Sequence, residues 1–126
     1  MMALDESQRD ETGLPEGAQE EADGSVRLPL VGGSISAHGE ELTELLLRKP
    51  TVKQLIATGT PFLFVQAPGG GTGTTIVQPV VAQYVQRLAR VPPSAVESLS
   101  MADYSRATTV VLYFFGQAQG QAPSKG

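Results

Sequence analysis

Eight acidic residues (Asp5, Glu6, Asp10, Glu11, Glu16, Glu20, Glu21 and Asp23) crowd the first 24 positions, against the single base Arg9. That segment has a net charge of −7 in a chain whose total is −4, so the remainder carries +3. It holds almost no aromatic or β-branched residue, and Gly and Pro interrupt it. Such a stretch cannot bury enough apolar surface to offset the entropy of ordering it, so residues 1–24 are expected to be a disordered acidic tail. Residues 117–126 (QAQGQAPSKG) read the same way. Folding therefore falls to residues 25–116, the length of a single domain.

The side-chain inventory narrows the chemistry open to that domain. The chain has no cysteine, which excludes disulfides, thiolate-held metals and thiol catalysis. His38 is the only histidine, so a His-rich metal site or a histidine-based triad is hard to assemble. A body charge of +3 is too small to neutralise a row of phosphates, and no nucleic-acid partner is expected. The apolar runs 61–65 and 110–115 fall far short of the roughly 18–20 residues a membrane helix needs. The start MMALDESQRDE lacks a basic n-region and an apolar h-region, so neither a signal peptide nor a membrane partner is expected.

Within the body, residues 26–30 (VRLPL) alternate and run into Gly32-Gly33-Ser34, a turn signal. Residues 41–48 (ELTELLLR) fit a strand or a helix; Pro50 biases Lys49 away from the helical region and favours a strand pairing back onto 26–30. Thr51 and Gln54 form a capping box that opens a short helix, Val52 to Thr58, with Gly59 as its stop. Residues 60–66 are strand-like or an extended packing segment, and 67–74 read as a loop. Pro79 suits a first helical turn, followed by a stripe of Val81, Tyr84, Val85 and Leu88. Pro93 to Leu99 reads as one or two helical turns. The last helix runs Met101 to Phe115, with Tyr104, Thr108, Val111, Leu112 and Phe115 on one side and Gly116 as its stop. The expected fold is α+β and predominantly helical: an N-terminal β-hairpin packed on three to four short helices.

No catalytic constellation emerges. Residues 69–75 (GGGTGTT) resemble the phosphate loop of tubulin and of tubulin-like division GTPases, where glycines let backbone N–H groups approach phosphates. That family's next glycine is Thr75 here, and its parallel sheet needs far more chain. The string also fails the G-x-x-x-x-G-K-[ST] and G-x-G-x-x-G patterns, so Gly69–Thr75 as a nucleotide loop is a distant alternative. His38 beside Gly39 reads as a surface turn residue. Asp103, three residues after Ser100, reads as a helix-start residue, and no serine sits in G-x-S-x-G. Neither an enzyme nor a cofactor is expected. Tyr113-Phe114-Phe115 stands out, because three consecutive aromatics cannot all face one side of a helix; either the hairpin covers them or they form an apolar patch.

Three separated blocks carry a family resemblance: residues 42–56 (LTELLLRKPTVKQLI), residues 84–95 from Tyr84-Val85-Gln86-Arg87-Leu88 to Pro92-Pro93-Ser94-Ala95, and residues 99–116, with Leu99-Ser100-Met101-Ala102-Asp103-Tyr104 and the closing Val111-Leu112-Tyr113-Phe114-Phe115-Gly116. In this order the chain resembles the tail assembly chaperones of Mu-like tailed phages, encoded just before the tape measure protein. The acidic head and residues 60–78 depart from the likeness. The resemblance implies a non-catalytic protein that holds the tape measure protein soluble until tail-tube subunits polymerise around it, and is then displaced. It further implies self-association, a second length made by programmed frameshifting, residence in the bacterial host's cytoplasm and absence from the mature virion. A structural minor tail or head–tail connector protein retained in the particle is the alternative. On this reading Tyr104, Val111, Phe114 and Phe115 are the candidate residues for the partner or self-association surface.

Overall fold

The computed structural model describes residues 13–66 and 68–118. The alternation at Val26-Arg27-Leu28 does what period-two patterning dictates, sending successive side chains to opposite faces. Strand β2 (Val26–Pro29) lies between β1 (Gln19–Glu20) and β5 (Glu44–Leu47), antiparallel to both. The register sets Val26 opposite Leu47 and Leu28 opposite Leu45, and all four side chains are buried on one face. On the other face Arg27 reaches both Glu21 and Glu44, an exposed network that adds little stability.

Between β2 and β5 the chain makes a second ribbon, β3 (Ile35–Ala37) against β4 (Glu40–Leu42). Its two-residue turn is His38-Gly39, with φ of 54° and 78°. Both residues at positive φ is the signature of a type I′ turn, whose twist suits a tight hairpin. Helix α1 (Val52–Thr58) has both arms of the expected capping box: the Gln54 N–H donates to Thr51 Oγ1 at 3.2 Å, and the Thr51 N–H to Gln54 Oε1 at 2.9 Å. Gly59, at φ 94°, ends it. A third ribbon follows, β6 (Phe62–Gln66) against β7 (Thr72–Ile76), then α2 (Gln78–Ala89), α3 (Pro93–Glu97) and α4 (Met101–Ala118). Helix α2 is the hub, burying Val81, Tyr84, Val85 and Leu88 between β5, α3 and α4.

Three expectations are corrected. The described residues form four helices and seven strands in three small sheets, about 39% helical and 25% strand, so the fold is α+β but not predominantly helical. The missing strands are short or rich in Gly and Thr, and they form because a partner strand supplies hydrogen bonds that local propensity does not reveal. Next, the acidic head is not wholly a disordered tail. From Gly13 onward it is part of the fold: Leu14, Pro15 and Ala18 are buried and β1 pairs with β2. Residues 1–12 and 119–126 lie outside the described residues, so the expectation for those parts of the two tails is not addressed by the fold. Last, α4 continues through Gly116 to Ala118, and its buried face is turned from the expected stripe. It carries Asp103, Ala107, Val110, Val111, Phe114 and Phe115, while Tyr104, Thr108 and Leu112 are half-buried.

The turn of α4 follows from the segment before the domain. Arg106 donates to the Glu16 carbonyl and to the Pro29 carbonyl, each at 2.6 Å. Tyr113 Oη donates to Glu20 at 2.7 Å. A side of the helix that looks solvent-facing when residues 25–116 are read alone is thus covered by the head.

Candidate partner-binding site

Val111, Phe114 and Phe115 lie in the core, and Tyr104 is half-buried with its hydroxyl donating to Gln78 Oε1 at 3.0 Å. The structure brings the four to one helix but offers only Tyr104 partly to solvent. Phe115 instead builds a chain of rings. It meets Tyr84 edge-on with centroids 5.2 Å apart and Phe62 at 6.3 Å, and Phe62 meets Phe64 at 5.6 Å. Edge-to-face contacts of this kind set ring orientation as well as burying area. The chain of rings seats the base of the β6–β7 ribbon on α2 and α4.

Asp103 is the buried carboxylate among the described residues, at 1% exposure. Its Oδ1 accepts the Val31 N–H at 2.9 Å and its Oδ2 the Gly32 N–H at 2.8 Å. The Ser100 hydroxyl and Arg106 complete the set. Burial pushes the Asp103 carboxyl up, but these donors outweigh it and hold it below the usual aspartate range. Ser100 and Asp103 stand at the helix start as expected and make half of a capping box, since Ser100 Oγ accepts the Asp103 N–H at 3.1 Å. The other half is redirected, because the short Asp side chain reaches the β2–β3 loop rather than back to the Ser100 N–H. Gly32 allows this approach: a Cβ there would come within 2.2 Å of Ser100 Oγ. Both carboxylate oxygens are committed to holding a loop.

The remaining candidates from the sequence are structural by position. His38 sits on the exposed β3–β4 turn with Nε2 3.1 Å from the Arg90 carbonyl oxygen, tying that turn to the end of α2. Gly69, Gly70 and Gly71 lie in the turn of the β6–β7 ribbon, and Thr72–Ile76, with Gly73 opposite Val65, continues as a strand. A phosphate loop would pass directly into a helix N-terminus; here a strand intervenes before α2. Among the described residues, no helix is long and apolar enough to cross a membrane.

What faces outward and apolar lies elsewhere. Helix α1 buries none of its residues, and Val52 and Ile56, 72% and 80% exposed, stand one turn apart on one side of it. The helix is nevertheless held: its capping box fixes one end, and the buried Tyr84 hydroxyl donates to the Gly59 carbonyl at 2.7 Å at the other. Burial pushes the Tyr84 phenol up, so it stays a donor through the ordinary pH range. On β6, Leu63, Phe64 and Val65 are exposed as well. From Gln54 to Gln86 the sequence contains no Asp, Glu, Lys, Arg or His. That charge-free stretch is legible in the sequence, whereas the exposure of its apolar residues is not.

The fold and site define a small α+β protein that presents exposed apolar side chains on a capped helix and a strand. The chain belongs to the phage tail assembly chaperone family: the sequence model described as "Phage tail assembly chaperone proteins, E, or 41 or 14" matches residues 28–116. Comparisons with curated proteins and with solved structures return no match.

Proposed function

We propose that this chain is a non-catalytic chaperone that binds the phage tape measure protein and keeps it soluble until tail-tube subunits polymerise around it. The observation that carries the reading is the Val52–Ile56 ridge, two large aliphatic side chains displayed on a short helix capped at both ends. Exposed apolar side chains held in place lose little entropy on docking, which suits a long helical partner with apolar stripes. The engagement of Asp103 in loop anchoring supports a non-catalytic role. Phe114, Phe115 and Val111 contribute on this view from beneath, by seating the elements that make contact, and Tyr104 at their margin.

Co-expression with the tape measure protein tests this. The pair Val52→Glu and Ile56→Lys charges the ridge while placing an acid in the first turn of α1 and a base in the last, where the helix dipole favours them. Capture of the tape measure protein is expected to fall at least about tenfold with thermal unfolding unchanged. Undiminished capture would sink the proposal. A chaperone working in the host cytoplasm should also be absent from finished virions by mass spectrometry, whereas a connector or minor tail protein would be found there. A longer product made by frameshifting at the codons near Tyr113–Gly116 belongs to the same proposal. The gene is expected to carry a run of U there and an overlapping downstream frame, and a non-slippery sequence counts against it.

A further inference from the structure

The β6–β7 ribbon is poorly finished as a monomer's surface. It forms a two-stranded sheet that pairs with no other strand among the described residues. Two-stranded ribbons are marginal in water unless a further strand or a packed face supports them. Phe62 and Ile76 at its base touch the core, but Leu63, Phe64 and Val65 project from it, with Phe64 73% exposed. Edge strands of soluble proteins are usually blunted by lysine, proline or a bulge. Phe62–Gln66 carries none of these.

The register shows which backbone groups the free edge offers. The Val77 N–H donates to the Pro61 carbonyl, so Pro61 and Val77 are a hydrogen-bonded pair. Pairing alternates along an antiparallel ladder, so Leu63 with Thr75 and Val65 with Gly73 are bonded pairs too. The N–H and C=O groups of Phe62, Phe64 and Gln66 therefore point away from β7, into the open edge. A second β6 laid antiparallel with Phe64 opposite Phe64 meets every one of them: Phe62 exchanges bonds with the other copy's Gln66, Phe64 with Phe64, and Gln66 with Phe62.

We infer that β6 is a homotypic docking edge, at which two copies of this chain pair about a two-fold axis at Phe64 to make one sheet of strand order β7-β6-β6-β7. Charge selects a second copy over other occupants. A two-fold axis sets each side chain against its own kind or a near neighbour of the same strand, so a charge on β6 would face a like charge. The absence of any charge from Gln54 to Gln86 meets that condition. The side chains also match: Phe64 lies against Phe64 on one face, and Leu63 against Val65 on the other. A helical partner, whose backbone groups are already bonded internally, could not satisfy the edge. The β7 edge, Thr72-Gly73-Thr74-Thr75-Ile76, offers the same backbone geometry with far less apolar surface. This inference is independent of the tape measure reading, since it needs no other protein.

Sedimentation equilibrium of the full chain alone tests it. The wild-type protein is expected to show a concentration-dependent dimer below about 100 μM, the range of a specific though modest interface. Phe64→Lys and Phe64→Glu should each shift the dissociation constant up at least about tenfold, and mixing them should restore the dimer. Phe64→Pro, which removes only an outward-facing donor, should also give a monomer with the ribbon's own ladder intact. Val52→Glu with Ile56→Lys should leave the mass unchanged. A wild-type protein monomeric up to about 1 mM overturns the proposal. So does a dimer that survives both charged variants, or a monomer whose Phe64 variants lose only tape measure capture.

Discussion

Asp103→Ala is expected to cost about 3–4 kcal/mol of unfolding free energy, measured by urea denaturation, although the position reads from sequence as an ordinary helix start. The carboxylate satisfies the backbone N–H groups of Val31 and Gly32 at 2.9 and 2.8 Å. Removing it strands two donors and leaves Arg106, itself largely buried, without its ion pair. Part of the guanidinium's bonding survives through the Glu16 and Pro29 carbonyls, which keeps the cost from being larger. Asp103→Asn should recover some of the loss, since one amide oxygen can still accept. A loss under about 1 kcal/mol for the alanine variant would mean that the loop is held by other contacts.

The same group gives the protein a pH dependence of definite sign. The Asp103 carboxyl titrates lower when folded than when unfolded, so the unfolded chain binds its proton first as pH falls. Its contribution is complete above the unfolded value of about 3.9 and declines as pH drops from there through the lower folded value. Wild-type stability should therefore fall across that acid window, and the slope should be shallower in Asp103→Asn. Equal slopes in the two proteins would show that Asp103 is not the titrating group.

Phe115→Ala is the second large effect, expected at about 4 kcal/mol. The ring is 6% exposed and wedged between Tyr84 and Phe62, so truncation leaves a cavity and removes two edge-to-face contacts. Thermal unfolding should drop by more than about 10 °C for a domain of this size. Amide exchange distinguishes this from a uniform loss, because β6 and β7 should lose protection before β2 and β5 do. Phe64→Ala, two rings further out along the same chain, should change stability by less than about 0.5 kcal/mol. If Phe115→Ala left the ribbon as protected as in the wild type, the ring chain would not be what seats it.

The contrast between those two phenylalanines shows where the sequence was readable. Helix α1, its capping box and the α2 stripe are each encoded within a few residues, and each is present; of the run 41–48 only 44–47 pair with 26–29, because 41–42 join β3 instead. The β6–β7 ribbon was half visible: residues 60–66 look extended, but Thr72-Gly73-Thr74-Thr75 becomes a strand only because β6 is there to bond it. Exposure inverted between the aromatic clusters. Phe114 and Phe115 look surplus when α4 is drawn alone, yet both are buried, with Phe115 packed between Phe62 of β6 and Tyr84 of α2. Phe64 looks like core by residue type, yet the ribbon carries it beyond the body. Burial depends on which distant segments arrive, and local periodicity does not encode that. The family likeness was legible from three spaced blocks, whereas Val52 and Ile56 as the displayed surface emerged only from the fold.

The acidic head has a further consequence for where this protein begins as a folding unit. The family match opens at Leu28, in the middle of β2, but Leu14 fills the core, β1 flanks β2, and Glu16 and Glu20 hold one side of α4. A boundary drawn by likeness would halve a central strand and uncover Tyr113. The folded unit extends upstream at least to Gly13, so a fragment trimmed to the matched residues would be a different and weaker protein. Negative charge near the N-terminus, which in the sequence alone marks chain that cannot fold, from Gly13 onward belongs to chain that pairs with β2 and holds α4.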